Sequence, residues 1–147
     1  MVRIVEETER TILYWDRFRK RRLPDLITVD DAISHSACLT AMDLGAGAIL
    51  APTHTGHTAR MIARFRPQCP VVALTQREHV CRRLSVCWGI VPLLSGEAGS
   101  TDQLFRTSAQ IALEHGLAKR GEVVVITAGV PLGRAGSTNL VKAHTVE

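Results

Sequence analysis

The run Thr53-His54-Thr55-Gly56-His57-Thr58 holds the residue types best suited to an anion. Its threonine hydroxyls and its glycine stand just before a run that reads as a helix, whose first backbone N–H groups carry the positive end of the helix dipole. Small donors, close backbone approach and a favourable field make a phosphate cradle. His57 and Arg60 are placed to add charge. A second reading fits the same residues: Thr58 is an ordinary N-cap and the rest is a tight turn. Residue types alone leave both open.

A second stretch of the same kind is Gly129-Val130-Pro131-Leu132-Gly133-Arg134-Ala135-Gly136-Ser137-Thr138-Asn139. Its three glycines, single arginine and Ser/Thr/Asn donors suit a loop that closes over an anion, and they equally suit a plain long hairpin loop. Chemistry of other kinds finds little support. The histidines form no HExxH pair, and Ser85 and Ser95 sit in no nucleophile elbow. The four cysteines, Cys38, Cys69, Cys81 and Cys87, match no zinc spacing and read as reduced core residues. Asp30, Asp31 and Asp43 fall on or at the start of a helix, as capping and solvent-facing groups. No set of acid, base and nucleophile assembles, so no catalytic residue and no metal site are expected. The chain reads as one that binds and regulates.

The elements that must position these stretches alternate. Thr28 to Leu44 reads as a helix, opened by a capping box of Thr28 and Asp31 and closed by Gly45. Ile33, Ala37, Ala41 and Leu44 recur on one face of it. Strands are expected at 47–51, 71–75, 90–94 and 123–127. Helices are expected between them, at 58–65, at 78–88 and from Ser100 to Gly116. Ser100 with Gln103 makes a second capping box, and Leu104, Ser108, Ile111 and Ala112 share a face. Strands alternating with helices imply βαβ units, and near-continuous apolar strands imply a sheet covered on both faces. Between Ile126 and His144 there is no room for a crossover helix, so the last strand, 140–145, returns antiparallel at an edge. The expected fold is α/β: a three-layer α/β/α domain with a mostly parallel five-stranded sheet. Both donor-rich stretches then begin at the carboxyl end of a strand, where open α/β sheets bind ligands.

Composition sets the wider limits. At 147 residues, 46% apolar, the chain fits one domain packed mainly by aliphatic residues and alanine. No apolar run is long enough for a membrane span and the charged amino terminus is no secretory signal, which points to the cytoplasm. The net charge of +4 comes largely from Arg17 to Arg22, where five of six residues are basic. Without an accompanying nucleic-acid motif, that run reads as a solvated helix end and linker.

Three stretches together resemble the carboxy-terminal domain of pyruvate kinases: residues 32–75, with the turn THTGHT and the helix end ARFRP; residues 82–94, RRLSVCWGIVPLL; and residues 121–139, GEVVVITAGVPLGRAGSTN. The resemblance implies an entry helix and basic linker over 1–26, leading from a catalytic barrel, and the α/β domain over 27–147. Pyruvate kinases transfer a phosphoryl group from phosphoenolpyruvate to ADP with Mg2+ or Mn2+ and K+, and the barrel does that chemistry. This chain, by resemblance, carries no cofactor. It binds an allosteric effector and takes part in subunit assembly, giving a homo-oligomer through the last strand. The effector phosphate is implied at Thr53, His54, Thr55, Gly56, His57 and Thr58, and the closing loop at Gly133, Arg134, Ala135, Gly136 and Ser137. Relatives activated by fructose 1,6-bisphosphate place a tryptophan and an arginine at the start of the long helix, where this chain has Ser100 and Thr107. A sugar or nucleotide monophosphate is therefore the expected effector, with neither nucleic acid nor membrane as partner.

Overall fold

The computed structural model describes residues 2–11, 16, 18, 20, 27–133 and 137–147. Helix α1 spans Val2–Thr11 and α2 spans Val29–Leu44. Then follow β1 (Ala48–Pro52), α3 (His57–Ala63), β2 (Val71–Thr75), α4 (Glu78–Leu84), β3 (Ile90–Leu94), α5 (Thr101–Glu114), β4 (Val123–Gly129) and β5 (Thr138–Thr145). The strands form one sheet in the order β3-β2-β1-β4-β5. All neighbours are parallel except β4 and β5, as the missing crossover helix requires. Pro92, which has no N–H to give a ladder, lies on the edge strand β3.

Alternation along the strands splits the core into two layers. Ile49, Ala51, Val71, Ala73 and Val125 face the side packed by α2, α3 and α4. Ala48, Leu50, Val72, Leu74, Val124 and Ile126 face α5, where Phe105 and Ala112 meet them. The sheet is thus covered on both faces, which is why its central strands carry almost no polar residue.

Local chemistry explains most boundaries. Thr28 Oγ1 accepts the Asp31 N–H at 3.1 Å, and Asp31 Oδ2 accepts the Thr28 N–H at 3.1 Å, completing the expected capping box. Gly45 ends α2 at φ 58°, the left-handed cap. The face that α2 buries overlaps the expected one in part: Ala37 and Ala41 are buried as expected, Ser34 and Cys38 join them, and Leu44 is 50% exposed. The helix docks through its smallest side chains, which allow close approach to the sheet. On α5 the buried set is likewise Phe105, Ser108, Ala109 and Ala112, with Leu104 and Ile111 on its flanks. The second capping box is only half present: Ser100 Oγ accepts the Gln103 N–H, but Gln103 Oε1 takes the Gly99 N–H instead. Helix α4 stops at Leu84, four residues short of the expected end, and Val86 beyond it is 87% exposed.

Of the cysteines, all free, only Cys38 is fully buried. Burial pushes its thiol up to about 12 and that of Cys69 to about 11. Of the basic run, Arg17, Arg19, Arg21 and Arg22 lie outside the described residues, and Lys20 is exposed. Phe18 within it is an anchor, 4% exposed and stacked on His35 with centroids 4.6 Å apart. No helix among the described residues is long and apolar enough to cross a membrane.

Candidate functional site

The strand order places a switch at β1. From β1 the chain steps outward through β2 to β3, then returns to the other side of β1 to lay down β4. Loops leaving β1 and β4 at their carboxyl ends therefore part in opposite directions, and the gap between them is where such sheets take ligands. A cleft of about 330 Å³ opens there, within the size range of small-molecule sites.

The first wall is the turn after β1. Thr53 Oγ1 accepts the Gly56 N–H at 2.9 Å, and Thr55 Oγ1 accepts the His57 N–H at 3.4 Å. Gly56 holds the bend at φ 81°, and a Cβ there would stand 2.9 Å from Leu84 Cδ2. Both the left-handed angle and the leucine behind it demand glycine. The cap of α3 is Gly56, so the reading of Thr58 as an N-cap fails. Thr58 lies inside the first turn, buried, with its hydroxyl 2.7 Å from that of Thr138.

That contact ties the first wall to the second. The β4–β5 connection is narrow at its base: Asn139 Oδ1 accepts the Val130 N–H at 2.9 Å, while Asn139 Nδ2 donates to the Val130 carbonyl at 2.6 Å. Gly129 permits this closure, since a Cβ on it would lie 2.8 Å from the Ser137 carbonyl oxygen. Strand β5 consequently begins at Thr138, earlier than expected, and Gly129 pairs with Thr138 across a register shift.

The cleft is lined by Thr53, His54, Thr55, His57 and Thr58, and from the opposite loop by Gly133 and Ser137. Gly56 sits behind the turn and shapes it. Arg134, Ala135 and Gly136 lie outside the described residues. Arg60 is exposed on α3 and does not line the cleft. His57 Nε2 stands 3.5 Å from Asp30 Oδ2, so this imidazole already has a carboxylate partner at the start of α2. Asp31, by contrast, is a buried structural group. Hydrogen bonds from the Thr28 side chain and backbone, and then the Arg64 guanidinium, hold its carboxyl below the usual range.

Sequence reasoning missed the floor and far wall. Thr75 and Gln76 at the end of β2, and Ser95, Gly96, Glu97 and Ala98 after β3, also line the cleft. The signal for them was available, because both segments follow strands whose ends the sequence located.

Comparison with known proteins follows the same lines. The family model described as pyruvate kinase, alpha/beta domain, matches residues 31–144. The chain is 43% identical over 146 residues to a pyruvate kinase of Sporosarcina psychrophila, covering 99% of this chain and 25% of that protein. It is 42% identical over 147 residues to one of Clostridium acetobutylicum, covering 100% of this chain and 31% of that protein. A solved pyruvate kinase from Cryptosporidium parvum matches 95% of this chain and 27% of its own with a TM-score of 0.84 at 26% identity. The chain spans between a quarter and a third of the length of these relatives.

Proposed function

We propose that this chain, which belongs to the pyruvate kinase α/β domain family, is an effector-binding and assembly domain. A phosphorylated small molecule binds in the cleft. Its phosphate rests against the turn formed by Thr53, His54, Thr55, Gly56, His57 and Thr58, and the segment from Gly133 to Ser137 closes over it. One observation carries this reading: two donor-rich loops, 80 residues apart in sequence, meet across a cleft at the switch of the sheet and are joined by the buried Thr58–Thr138 hydroxyl pair. A sugar or nucleotide monophosphate fits better than a bisphosphate, because no described lining residue is lysine or arginine.

Phosphoryl transfer from phosphoenolpyruvate to ADP, with its divalent metal and potassium, we assign to the remainder of such an enzyme, reached through residues 1–26. The residues described here do not fit the metal, since they contain no group of three or more His, Cys, Asp or Glu able to hold an ion. With that chemistry assigned to the rest of such an enzyme, we expect no turnover from the isolated chain and place its action in the cytoplasm.

The reading is tested by the thermal unfolding midpoint against ribose 5-phosphate, AMP, fructose 1,6-bisphosphate and inorganic phosphate. A ligand at 100 times its dissociation constant adds about 2.7 kcal/mol, or very roughly 5 to 10 °C for a domain of this size. A shift with a monophosphate, reduced in Thr55→Val, supports the site. No shift with any of them removes it. The assembly role is favoured by the position of β5, an edge strand with Asn139, Ala143 and Thr145 exposed. Sedimentation of the chain as a monomer at all concentrations would defeat that part.

A further inference from the structure

The far wall of the cleft carries a charge that a phosphate site has no use for. Among the described lining residues, Glu97 is the single Lys, Arg, Asp or Glu. It projects from the connection between β3 and α5, whose ends are both fastened. The Ser95 N–H donates to the Thr75 carbonyl at 2.9 Å, and the Gly99 N–H donates to Gln103 Oε1 at 3.0 Å. The segment that carries Glu97 is thus fastened beside the cleft with little slack, and the side chain is exposed.

The strand order sets how far apart the two segments leave the sheet. The turn leaves β1 and the Glu97 segment leaves β3, with β2 between them. Two inter-strand spacings amount to about 10 Å, which is close to the length of a pentose or hexose phosphate. A ligand with its phosphate on the turn therefore presents its other end to Glu97. A carboxylate only accepts hydrogen bonds, and its two oxygens suit a pair of adjacent hydroxyl donors. Phosphate oxygens are acceptors with negative charge and offer it nothing but repulsion.

We infer that Glu97 is the specificity-determining residue of this cleft: it accepts the vicinal hydroxyls of a sugar monophosphate and excludes a second phosphate at that end. The inference rests on the phosphate reading of the turn and goes beyond it by naming the far end of the ligand. It assigns a role to a residue that contributes nothing to the phosphate cradle.

The test is titration calorimetry on the full chain with inorganic phosphate, ribose 5-phosphate, 2-deoxyribose 5-phosphate and ribose 1,5-bisphosphate. The parent should bind ribose 5-phosphate at least about tenfold more tightly than the bisphosphate, a typical effect for one charged hydrogen bond gained or lost. Glu97→Gln should lose about tenfold for ribose 5-phosphate and leave inorganic phosphate unchanged, with the deoxy sugar scarcely affected. Glu97→Lys should reverse the preference in favour of the bisphosphate. Because Glu97 is exposed, both variants should keep the parent's circular dichroism and midpoint. If inorganic phosphate binds but Glu97→Gln leaves the mono- to bisphosphate ratio unaltered, this inference falls and the cradle stands. If the parent binds none of the four, the phosphate reading falls and takes this inference with it.

Discussion

Thr58 and Thr138 form a hydroxyl pair whose removal should cost more for one partner alone than for both together. The oxygens are 2.7 Å apart, and the residues are only 8% and 5% exposed. Thr58→Val keeps the β-branched shape, so local packing and rotamer preference change little. It leaves the Thr138 hydroxyl buried against a methyl group, a desolvated donor with no return, which costs about 1–3 kcal/mol. For a domain of this length that is a fall in midpoint of roughly 3 to 10 °C. Thr138→Val should cost a similar amount for the mirror-image reason. The double variant replaces both partners by apolar groups of matching shape, so it should recover to within about 1 kcal/mol of the parent. Urea unfolding followed by circular dichroism, with all four proteins at one pH, gives the cycle directly. Additive losses in the double variant would refute the reasoning, because they would mean each hydroxyl acts through some other neighbour.

Three further outcomes are expected. Gly56→Ala should destabilise by about 1–2 kcal/mol for the left-handed angle alone, and by more once Leu84 must yield, with inorganic phosphate binding lost in the same variant; calorimetry and a thermal melt read both. Ser34→Ala should stabilise by roughly 0.5–1 kcal/mol, since the Ser34 hydroxyl is buried in the middle of α2 without a hydrogen-bond partner among the described residues, and a midpoint equal to or below the parent's would contradict this. Asp31 should contribute to acid sensitivity. Its carboxyl titrates below the ordinary value in the folded state, so its stabilisation is complete above the usual carboxylate range and is lost as pH falls through the folded value. The stability gap between parent and Asp31→Asn should therefore narrow from about pH 6 to about pH 3, and a constant gap would exclude the mechanism.

The parts of this fold that were legible are those fixed by neighbours in sequence. Thr28, Asp31 and Gly45 delimit α2 within the span of one helix, and 71–75 and 90–94 are strands because their apolar runs are bounded by turn residues. What was hidden depends on partners far along the chain. Of the face read on α2, Ala37 and Ala41 are buried but Leu44 is not, and Ser34 and Cys38 are buried beside them, because small residues win where a helix must lie close to a sheet. The role of Thr58 needed Thr138 to be seen beside it. A threonine ahead of a helical run looks like a cap in sequence, and only the β4–β5 connection makes it a tie between loops. Glu97 was passed over for the same reason, since a lone glutamate after a strand has no meaning until the strand order puts it across from the turn.

The distribution of positive charge bears on how strongly the cleft can hold an anion. The chain is basic overall, with a net charge of +4, yet several described cations are engaged elsewhere. Arg64 pairs with Asp31, Arg82 with Glu78, Arg66 lies over the Trp88 ring and Lys142 over the Phe105 ring. The described wall offers hydroxyls, imidazoles and amides. Hydrogen bonds to an ionised group contribute about 1.5–3 kcal/mol each, and association and desolvation take back part of that sum. The described lining, with no lysine or arginine, leaves the proposed ligand to these donors and to the discrimination inferred for Glu97.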